Sequence, residues 1–422
     1  MAKRHLLMLG LLLGGSALSS AACSDTKVAD VGDAGAAGET GGTGEGGEGG
    51  EAPFEFPASL NPQTVVVVGS APTSTSHLLV AGTDYSSKSE IVSIKLSSGA
   101  VGDSTTFDDS DTVATSSAGQ GFAIERTNDK VHLLDGGKIS TTFDLKEPGS
   151  DQQPVDSKAY VPFLNQSLIA ILDLSKGKVS RRIDLNAYNA PGDSDHSAEI
   201  AEGVYDPNKE VAYFLLQRID LLSYDANFHL PCSKSHALIV GIDTKTDEVV
   251  DLNGGVEGKA IELRLVNPHS LSINQDGTAL YLLADGCYEG TNKIRRGVEV
   301  VDLTEGTTTI AYEADGSDAL GSYYLSSLIL TGGEDALIES FHDDDFTTHW
   351  NKFDVAAGKV GAEIENVPGA VSFDGTDLLG VEVTGTVGAV VRYELASETS
   401  TVISPTSWGG EYSSASATAL VK

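Results

Sequence analysis

The sequence predicts an all-β protein, a β-propeller of seven four-stranded blades whose ring is closed by a terminal strand. Two observations carry this prediction. From about residue 64 to the end, short runs of alternating apolar and polar residues are separated by Gly, Asp and Asn turns, and no long segment has helical periodicity. Pairs of these runs recur along the chain at a spacing that is typical of propeller blades.

The repeated pair consists of an alternating strand, a polar turn of two to four residues, and a second strand. Seven copies cover residues 89–101, 130–145, 167–179, 236–250, 297–310, 349–364 and 389–403. A second phrase precedes the pair and is clearest at 267–286, where Gln275-Asp276-Gly277 separates two apolar strands. Because Asp, Asn and Gly suit the backbone angles of hairpin turns, this phrase predicts two further strands for each unit.

Residues 159–179 resemble the YVTN-type repeat of surface-layer-like bacterial and archaeal β-propellers. In that family Tyr-Val opens one strand, an Asn lies in the following turn, and an Ile-Asp pair ends the next strand. Those places are filled here by Tyr160-Val161, Asn165 and Leu172-Asp173. The segment PHSLSINQDGTALYL is similar to a second family phrase, but Ser270 replaces its Gly. The resemblance is close in blades three to five; it implies a propeller fold and an extracytoplasmic role, and no particular activity.

Two segments compete to close the ring. Residues 411–421 are predicted to form a strand without a hairpin partner. Residues 64–69 are an apolar run ahead of the first unit, which otherwise lacks an inner strand. Either segment can complete the first unit by joining the two chain ends. Since closure removes exposed sheet edges, we expect the domain to depend on its C terminus.

Residues 1–22 predict a secretory signal. Lys3 and Arg4 precede an apolar run that is too short to span a membrane, and small residues then lead to Cys23. This order resembles a bacterial lipoprotein signal, which implies a lipid on Cys23. Because Ser24 and not Asp follows, we expect an anchor in the outer membrane or at the cell surface. Ordinary secretion is the alternative, with a periplasmic or secreted protein, since Ser20 stands where Leu is usual.

Residues 23–56 are predicted to be the lipidated cysteine followed by a disordered, acidic tether. Gly, Ala, Glu and Thr dominate this stretch, which has almost nothing to bury. The propeller domain is assigned to residues 57–422. The tether needs no function beyond holding this domain away from the membrane.

The net charge excludes whole classes of partner. The chain carries 27 Lys and Arg against 61 Asp and Glu, a formal charge of −34. Removal of residues 1–22 takes away two positive and no negative charges and leaves −36. Such a field repels nucleic acid and anionic lipid head groups and favours cations and cationic partners.

The sequence has three cysteines, of which Cys23 belongs to the signal. In an oxidising compartment the other two, Cys232 and Cys287, are expected to form a disulfide. Cys232 lies in the long middle loop of blade four and Cys287 opens that of blade five. The disulfide therefore links two loops at the rim of neighbouring blades.

Loops longer than a hairpin needs are predicted to lie on one face of blades four to six. They cover residues 185–197, 221–235, 286–296 and 341–349. Because binding residues are often carried by such loops, we interpret this face as the binding face. Its predicted residues are Asp195, His196, His229, His269, Tyr288 and Trp350.

The segment HDDDFTTH predicts a metal site at His342, Asp344 and His349. Imidazole and carboxylate together suit a divalent transition metal. The spacing matches no named zinc signature, so a solvated acidic loop is the alternative. Calcium bound by Asp-rich loops is a further possibility, and no other cofactor is predicted.

Sequence motifs of enzymes are missing: there is no nucleophile elbow, no His-Glu-x-x-His and no phosphate-binding loop before a helix. The leading hypothesis is a monomeric binding or scaffold module that recognises a protein, peptide or glycan through the loop face of blades four to six. The alternative is a lactonase-like hydrolase with a metal in the central channel, using inner-strand residues such as Glu199, Glu202 and His269. A structural envelope protein is the third hypothesis.

Overall fold

The computed structural model describes most of the predicted propeller domain. The described residues are 59–421 without 71–73, 85, 150–153, 226–228, 233–235, 253–258, 290–291, 315–319, 321–322, 334, 343–346, 385–386 and 407–413. They form seven four-stranded antiparallel blades, which confirms the predicted propeller. No helix in this part of the chain is long and apolar enough to cross a membrane.

The first strand, β1 (Val66–Val67), is followed by the strands of blades one to three. Blade one contains β2 (His77–Thr83), β3 (Ser89–Lys95) and β4 (Val101–Phe107). Blade two contains β5 (Thr112–Ser117), β6 (Gln120–Glu125), β7 (Lys130–Asp135) and β8 (Lys138–Asp144). Blade three contains β9 (Lys158–Pro162), β10 (Leu168–Asp173) and β11 (Lys178–Asp184).

Blades four and five carry additional elements. Blade four contains β12 (Ile200–Asp206), β13 (Val211–Leu216), β14 (Leu238–Asp243), β15 (Glu248–Val250) and the short β16 (Ile261–Glu262). Blade five contains β17 (Pro268–Ile273), β18 (Ala279–Ala284), a small hairpin of β19 (Cys287–Glu289) and β20 (Asn292–Ile294), β21 (Gly297–Asp302) and β22 (Thr307–Glu313). Short 3-10 helices lie at Asn186–Tyr188 and Leu221–Ser223.

Blades six and seven are regular four-stranded units. Blade six contains β23 (Tyr324–Gly332), β24 (Asp335–His342), β25 (Thr347–Asp354) and β26 (Lys359–Ile364). Blade seven contains β27 (Gly369–Phe373), β28 (Leu378–Thr384), β29 (Val387–Glu394) and β30 (Thr399–Thr406). The last strand of the chain is β31 (Ser414–Val421).

The C-terminal strand closes the ring. β31 pairs antiparallel with β2 from His77 opposite Val421 to Thr83 opposite Ser414, and so becomes the innermost strand of blade one. Closure by a terminal strand is thus confirmed.

The segment 64–69 does not complete the first unit, which corrects the other expectation. β1 pairs with β9, with Val66 opposite Tyr160, and becomes the innermost strand of blade three. The reason is burial on both faces: Val66 packs into the core between blades three and four, while Val65 and Val67 pack between blades two and three.

The central strands are apolar on both faces because each blade packs between two others. In β13, Phe214 and Leu216 point into the core shared with blade three, whereas Tyr213 and Leu215 point into the core shared with blade five. All four side chains are at most 2 % exposed. The outermost strands, such as β4 and β8, are mostly exposed and polar.

A partly buried carboxylate joins blade four to the irregular inner strand of blade five. The pairing of β17 with β18 shifts register between His269 and Ser272, and Ser270 has a positive φ of 57°. Glu202 of β12 accepts hydrogen bonds from the backbone N–H of Ser270 (3.2 Å) and Leu271 (3.0 Å). Since buried N–H groups need acceptors, Glu202 has a structural task here.

Candidate binding face

The long middle loops of blades four and five are joined covalently. Cys232 and Cys287 form a disulfide with a Cα–Cα distance of 4.9 Å, as predicted. Hydrogen bonds reinforce it: Cys232 N donates to the Tyr288 carbonyl (3.2 Å) and Tyr288 N donates to the Leu230 carbonyl (2.8 Å). These two loops are therefore crosslinked, and we call their described residues (219–225, 229–232, 286–289 and 292–295) the stapled rim.

A small apolar core supports the stapled rim from below. Ile219, Leu230, Val266 and Cys287 are buried together and lie against other apolar side chains of the two loops. Leu222 of the same loop is 72 % exposed. The rim thus has packing of its own, separate from the cores between the blades.

Two predicted binding-face residues meet on the stapled rim. His229 stacks on Tyr288 with ring centroids 3.9 Å apart and an angle of 16° between the ring planes. Lys293, 5.7 Å above the Tyr288 ring and 4.1 Å above that of Tyr324, forms an ion pair of 2.6 Å with Asp285. The contacts hold the aromatic rings in defined positions beside the disulfide.

Two other predicted binding-face residues have different surroundings. His269 belongs to β17 rather than to a connecting loop, and its Nε2 faces the Leu325 carbonyl (2.8 Å) while Nδ1 faces the Asn267 carbonyl (3.3 Å). Trp350 is 2 % exposed and packs in the core between blades six and seven, so its assignment to the binding surface is wrong. Both faces of a central strand such as β25 are covered by neighbouring blades, which explains the burial of Trp350.

The predicted metal site of blade six is described in part. His342 and His349 stack with ring centroids 3.7 Å apart, and Tyr323 stacks on the other side of His342 at 3.2 Å. His349 Nδ1 lies 2.7 Å from Glu363 Oε1. Asp344 lies outside the described residues, so this metal site stays a prediction.

An acidic cluster lies where the chain enters blade four. Asp193, Asp195 and Asp220 each offer a carboxylate oxygen, and these oxygens lie within 4.8 Å of one another. Within the part of the chain that the structure describes, this is the group of three or more His, Cys, Asp or Glu side chains that could hold a metal ion. Asp195 was predicted for the binding face, together with the exposed His196 that follows it.

Backbone and hydroxyl donors hold the acidic cluster in place. Asp195 Oδ2 accepts from the Leu221 N–H (2.6 Å), and Asp220 accepts from the Ser194 hydroxyl (2.6 and 2.7 Å) and caps the 3-10 helix at Leu221–Ser223. Burial, followed by the neighbouring Asp193, raises the pKa of Asp195 to about 6. Sequence reasoning missed Asp220 because it directly precedes the loop that was predicted from residue 221.

A shallow cleft of about 50 Å³ connects the acidic cluster to the stapled rim. Asp193 and Asp220 line it together with Pro231 and Cys232. Arg218 and Arg295 complete the polar part of its wall. The disulfide, the acidic cluster and the cleft therefore form one continuous surface.

Comparison with known proteins finds only distant structural likenesses. No protein-family model and no curated protein matches the sequence. A putative 6-phosphogluconolactonase from Bacteroides fragilis is 13% identical with a TM-score of 0.49, covering 84% of this chain and 99% of that one. AztD from Citrobacter koseri, in its apo form, is 13% identical with a TM-score of 0.43, covering 83% and 98% of the two chains. TolB from Acinetobacter baumannii is 11% identical with a TM-score of 0.43, covering 82% and 66%.

At these identities and TM-scores the likenesses carry no inference about what this chain binds or catalyses. The resemblance to YVTN-type repeats stays a prediction at the level of the family.

Replacing both Cys232 and Cys287 with Ser is expected to destabilise the protein by up to about 4 kcal/mol, since the disulfide closes a loop of 55 residues in the unfolded chain. Urea unfolding followed by fluorescence measures this loss. Cys23→Ser, which changes a cysteine ahead of the propeller, is the control and should leave the midpoint unchanged. Equal stability of the double variant and the wild type would show that the disulfide adds nothing to the rim.

Proposed function

We propose that this protein is a lipid-anchored, extracytoplasmic binding module that engages a protein, peptide or glycan through the loop face of blades four to six. The observation that carries the proposal is the stapled rim. Two loops longer than their hairpins need are held by a disulfide, by backbone hydrogen bonds and by their own apolar core. Order of this kind lowers the entropic cost of binding a partner, whereas the blades themselves do not require it.

The negative charge of the protein favours a basic partner. The chain has a formal charge of −34, and the acidic cluster lies next to the rim. A negative surface favours association with a partner that presents Lys or Arg side chains. We therefore expect a basic protein or peptide surface ahead of a neutral glycan.

The extracytoplasmic address is supported by the disulfide, since structural disulfides persist in oxidising compartments. The signal-like residues 1–22 and Cys23 point in the same direction. A lipid on Cys23 would anchor the propeller, acting as a monomer, to a membrane of the cell envelope through the tether.

The hydrolase alternative receives less support from the inner strands. It needs acidic or His side chains with free ligand atoms, but Glu202 accepts backbone hydrogen bonds from blade five. Both ring nitrogens of His269 face backbone carbonyls, which leaves no lone pair directed at a metal. The contacts of these two residues favour a structural role over a catalytic one.

Leu222→Asp is expected to weaken capture of the partner by about tenfold or more, because it places a charge on the exposed apolar residue of the rim. The purified wild type and variant are immobilised, exposed to a detergent extract of the cell envelope, and the retained proteins are quantified by mass spectrometry. A glycan array covers the second class of ligand.

Val402→Asp is the matched control, since Val402 is 57 % exposed on β30, the outermost strand of blade seven. A partner that Val402→Asp retains and Leu222→Asp loses supports the proposal. Loss of the partner with Val402→Asp alone would indicate that the binding surface is the outer edge of blade seven. Retention of no specific partner by any of the three proteins would favour the structural envelope hypothesis.

A further inference from the structure

A row of rings crosses the loop face from blade four towards blade six. At its blade-four end, His229 stacks on Tyr288 with ring centroids 3.9 Å apart. In its middle, the Nζ of Lys293 lies 5.7 Å from the centroid of the Tyr288 ring and 4.1 Å from that of Tyr324. The row therefore passes from the stapled rim to the first strand of blade six, where Tyr324 begins β23.

A second stack continues the row on blade six. The ring of Tyr323, the residue before Tyr324, lies 3.2 Å from that of His342, and His342 lies 3.7 Å from His349. All of these rings are partly exposed. We call them together the ring row, which consists of His229, Tyr288, Tyr323, Tyr324, His342 and His349.

Each end of the ring row has a carboxylate beside it. On blade four, His229 Nδ1 lies 3.4 Å from Asp225 Oδ2. On blade six, His349 Nδ1 lies 2.7 Å from Glu363 Oε1. The side chains of Asp225 and Glu363 are 50 % and 51 % exposed. Because an ionised carboxylate has about four acceptor sites, both groups can accept further hydrogen bonds from a ligand in solvent.

A ring beside an exposed carboxylate suits a planar cation. The guanidinium of arginine stacks on rings and donates two parallel hydrogen bonds to a carboxylate, whereas the ammonium of lysine is a compact and strongly hydrated charge. The formal charge of −34 attracts basic partners to the protein as a whole. In the middle of the row the chain supplies its own cation, since Lys293 pairs with Asp285 at 2.6 Å.

We propose that the ring row binds two arginine side chains of a basic peptide segment, one at His229 with Asp225 and one at His349 with Glu363. This inference rests on the proposed function and narrows its ligand from a protein, peptide or glycan to an arginine-containing segment. The segment lies across blades four to six, so that its two arginines bind on different blades. Binding at one end raises the effective concentration of the second arginine at the other end.

Two synthetic peptides of equal charge test the preference for arginine. One contains six alternating Arg-Ser pairs and the other six Lys-Ser pairs, and their affinities for the purified propeller are measured by isothermal titration calorimetry. We expect the arginine peptide to bind about tenfold more tightly. Equal affinities would show that charge alone attracts the peptides and would overturn the inference.

Substitutions at the two ends locate the binding. Asp225→Asn and Glu363→Gln are each expected to weaken binding of the arginine peptide by about fivefold. His229→Ala is expected to have a similar effect, whereas His229→Phe keeps a flat ring and should bind as the wild type does. The matched control is Glu305→Gln, which removes the same charge from an exposed turn between β21 and β22 on the opposite face.

The outcomes separate this inference from the proposed function. A loss with Glu305→Gln as large as that with Glu363→Gln would overturn the inference. If the envelope extract yields a partner that depends on Leu222 while the arginine peptide does not bind, the inference fails and the proposed function stands. If neither the extract nor the peptide gives binding, both fail.

Discussion

A chain that ends at residue 408 is expected not to fold into a propeller at all. The truncation removes β31, which pairs with β2 at seven positions and forms the innermost strand of blade one. Leu420 packs against blade seven, and Ala419 and Val421 pack against blade two, so one strand completes two cores. Its loss exposes the edge of β2 and opens the ring.

The packing around β31 is tight. At Gly121 of β6, an added Cβ would lie 2.9 Å from Val421 Cγ1 and 2.5 Å from Leu79 Cδ1. Because both interfaces of blade one depend on the strand, the expected loss is the entire stability of the domain, of the order of 5–15 kcal/mol.

Near-ultraviolet circular dichroism and limited proteolysis measure the effect of the truncation. The truncated chain should lack fixed aromatic signals and should be digested rapidly. A chain that lacks residues 1–56 is the control and should behave like the wild type, and a synthetic peptide of residues 411–422 should restore part of the signal. Cooperative unfolding of the truncated chain at the Tm of the wild type would refute the closing role of β31.

Asp247→Asn is expected to destabilise the protein by about 3–5 kcal/mol, the cost of breaking a buried ion pair from one side. The Asp247 side chain is 0 % exposed; its Oδ1 accepts from Lys158 Nζ (2.7 Å) and from the Tyr160 hydroxyl, and its Oδ2 accepts from Arg181 Nη2 (2.6 Å). Asp247 belongs to blade four and the three donors to blade three. Lys158 is 3 % exposed, so the substitution leaves an ammonium group buried without its counter-charge.

Asn is chosen because it removes the charge of Asp247 without adding backbone strain. Asp247 has a positive φ of 57°, a conformation that Asn tolerates nearly as well as Asp. Lys245→Gln is the matched control because Lys245 lies in the same turn and pairs with Glu210 at the surface, where ion pairs contribute little. Urea unfolding should give a lower midpoint for Asp247→Asn and an unchanged one for Lys245→Gln. Equal midpoints for the two variants would show that the Asp247 network is not a link between blades.

The blade repeat could be predicted because its signals are local. Alternation of apolar residues and the Asp, Asn and Gly turns depend on neighbours within about ten residues, and these neighbours also form the hairpins. The disulfide was predictable for a related reason. Once Cys232 and Cys287 were assigned to corresponding loops of neighbouring blades, the propeller itself brought them together.

The candidate site was harder to predict. Trp350 is an aromatic residue directly after a predicted loop, which suggested a place on the binding surface. Packing between blades six and seven buries it instead. Asp220 showed no motif, because its segment meets that of Asp193 and Asp195 only in the folded chain. His269 lies in β17 and not in a loop because the inner strand of blade five begins at Pro268.

By itself, the sequence predicted the all-β class, the seven-bladed repeat and the pairing of the two cysteines, and it left two segments as alternatives for closing the ring. Only the tertiary structure decided that β31 completes blade one, that β1 completes blade three, and that three carboxylates gather at the entrance to blade four. The physical reason is the separation along the chain of the residues that determine each feature. Strands and turns follow from residues close together in the chain, whereas the partner of β1 and the acidic cluster depend on how whole blades pack against each other.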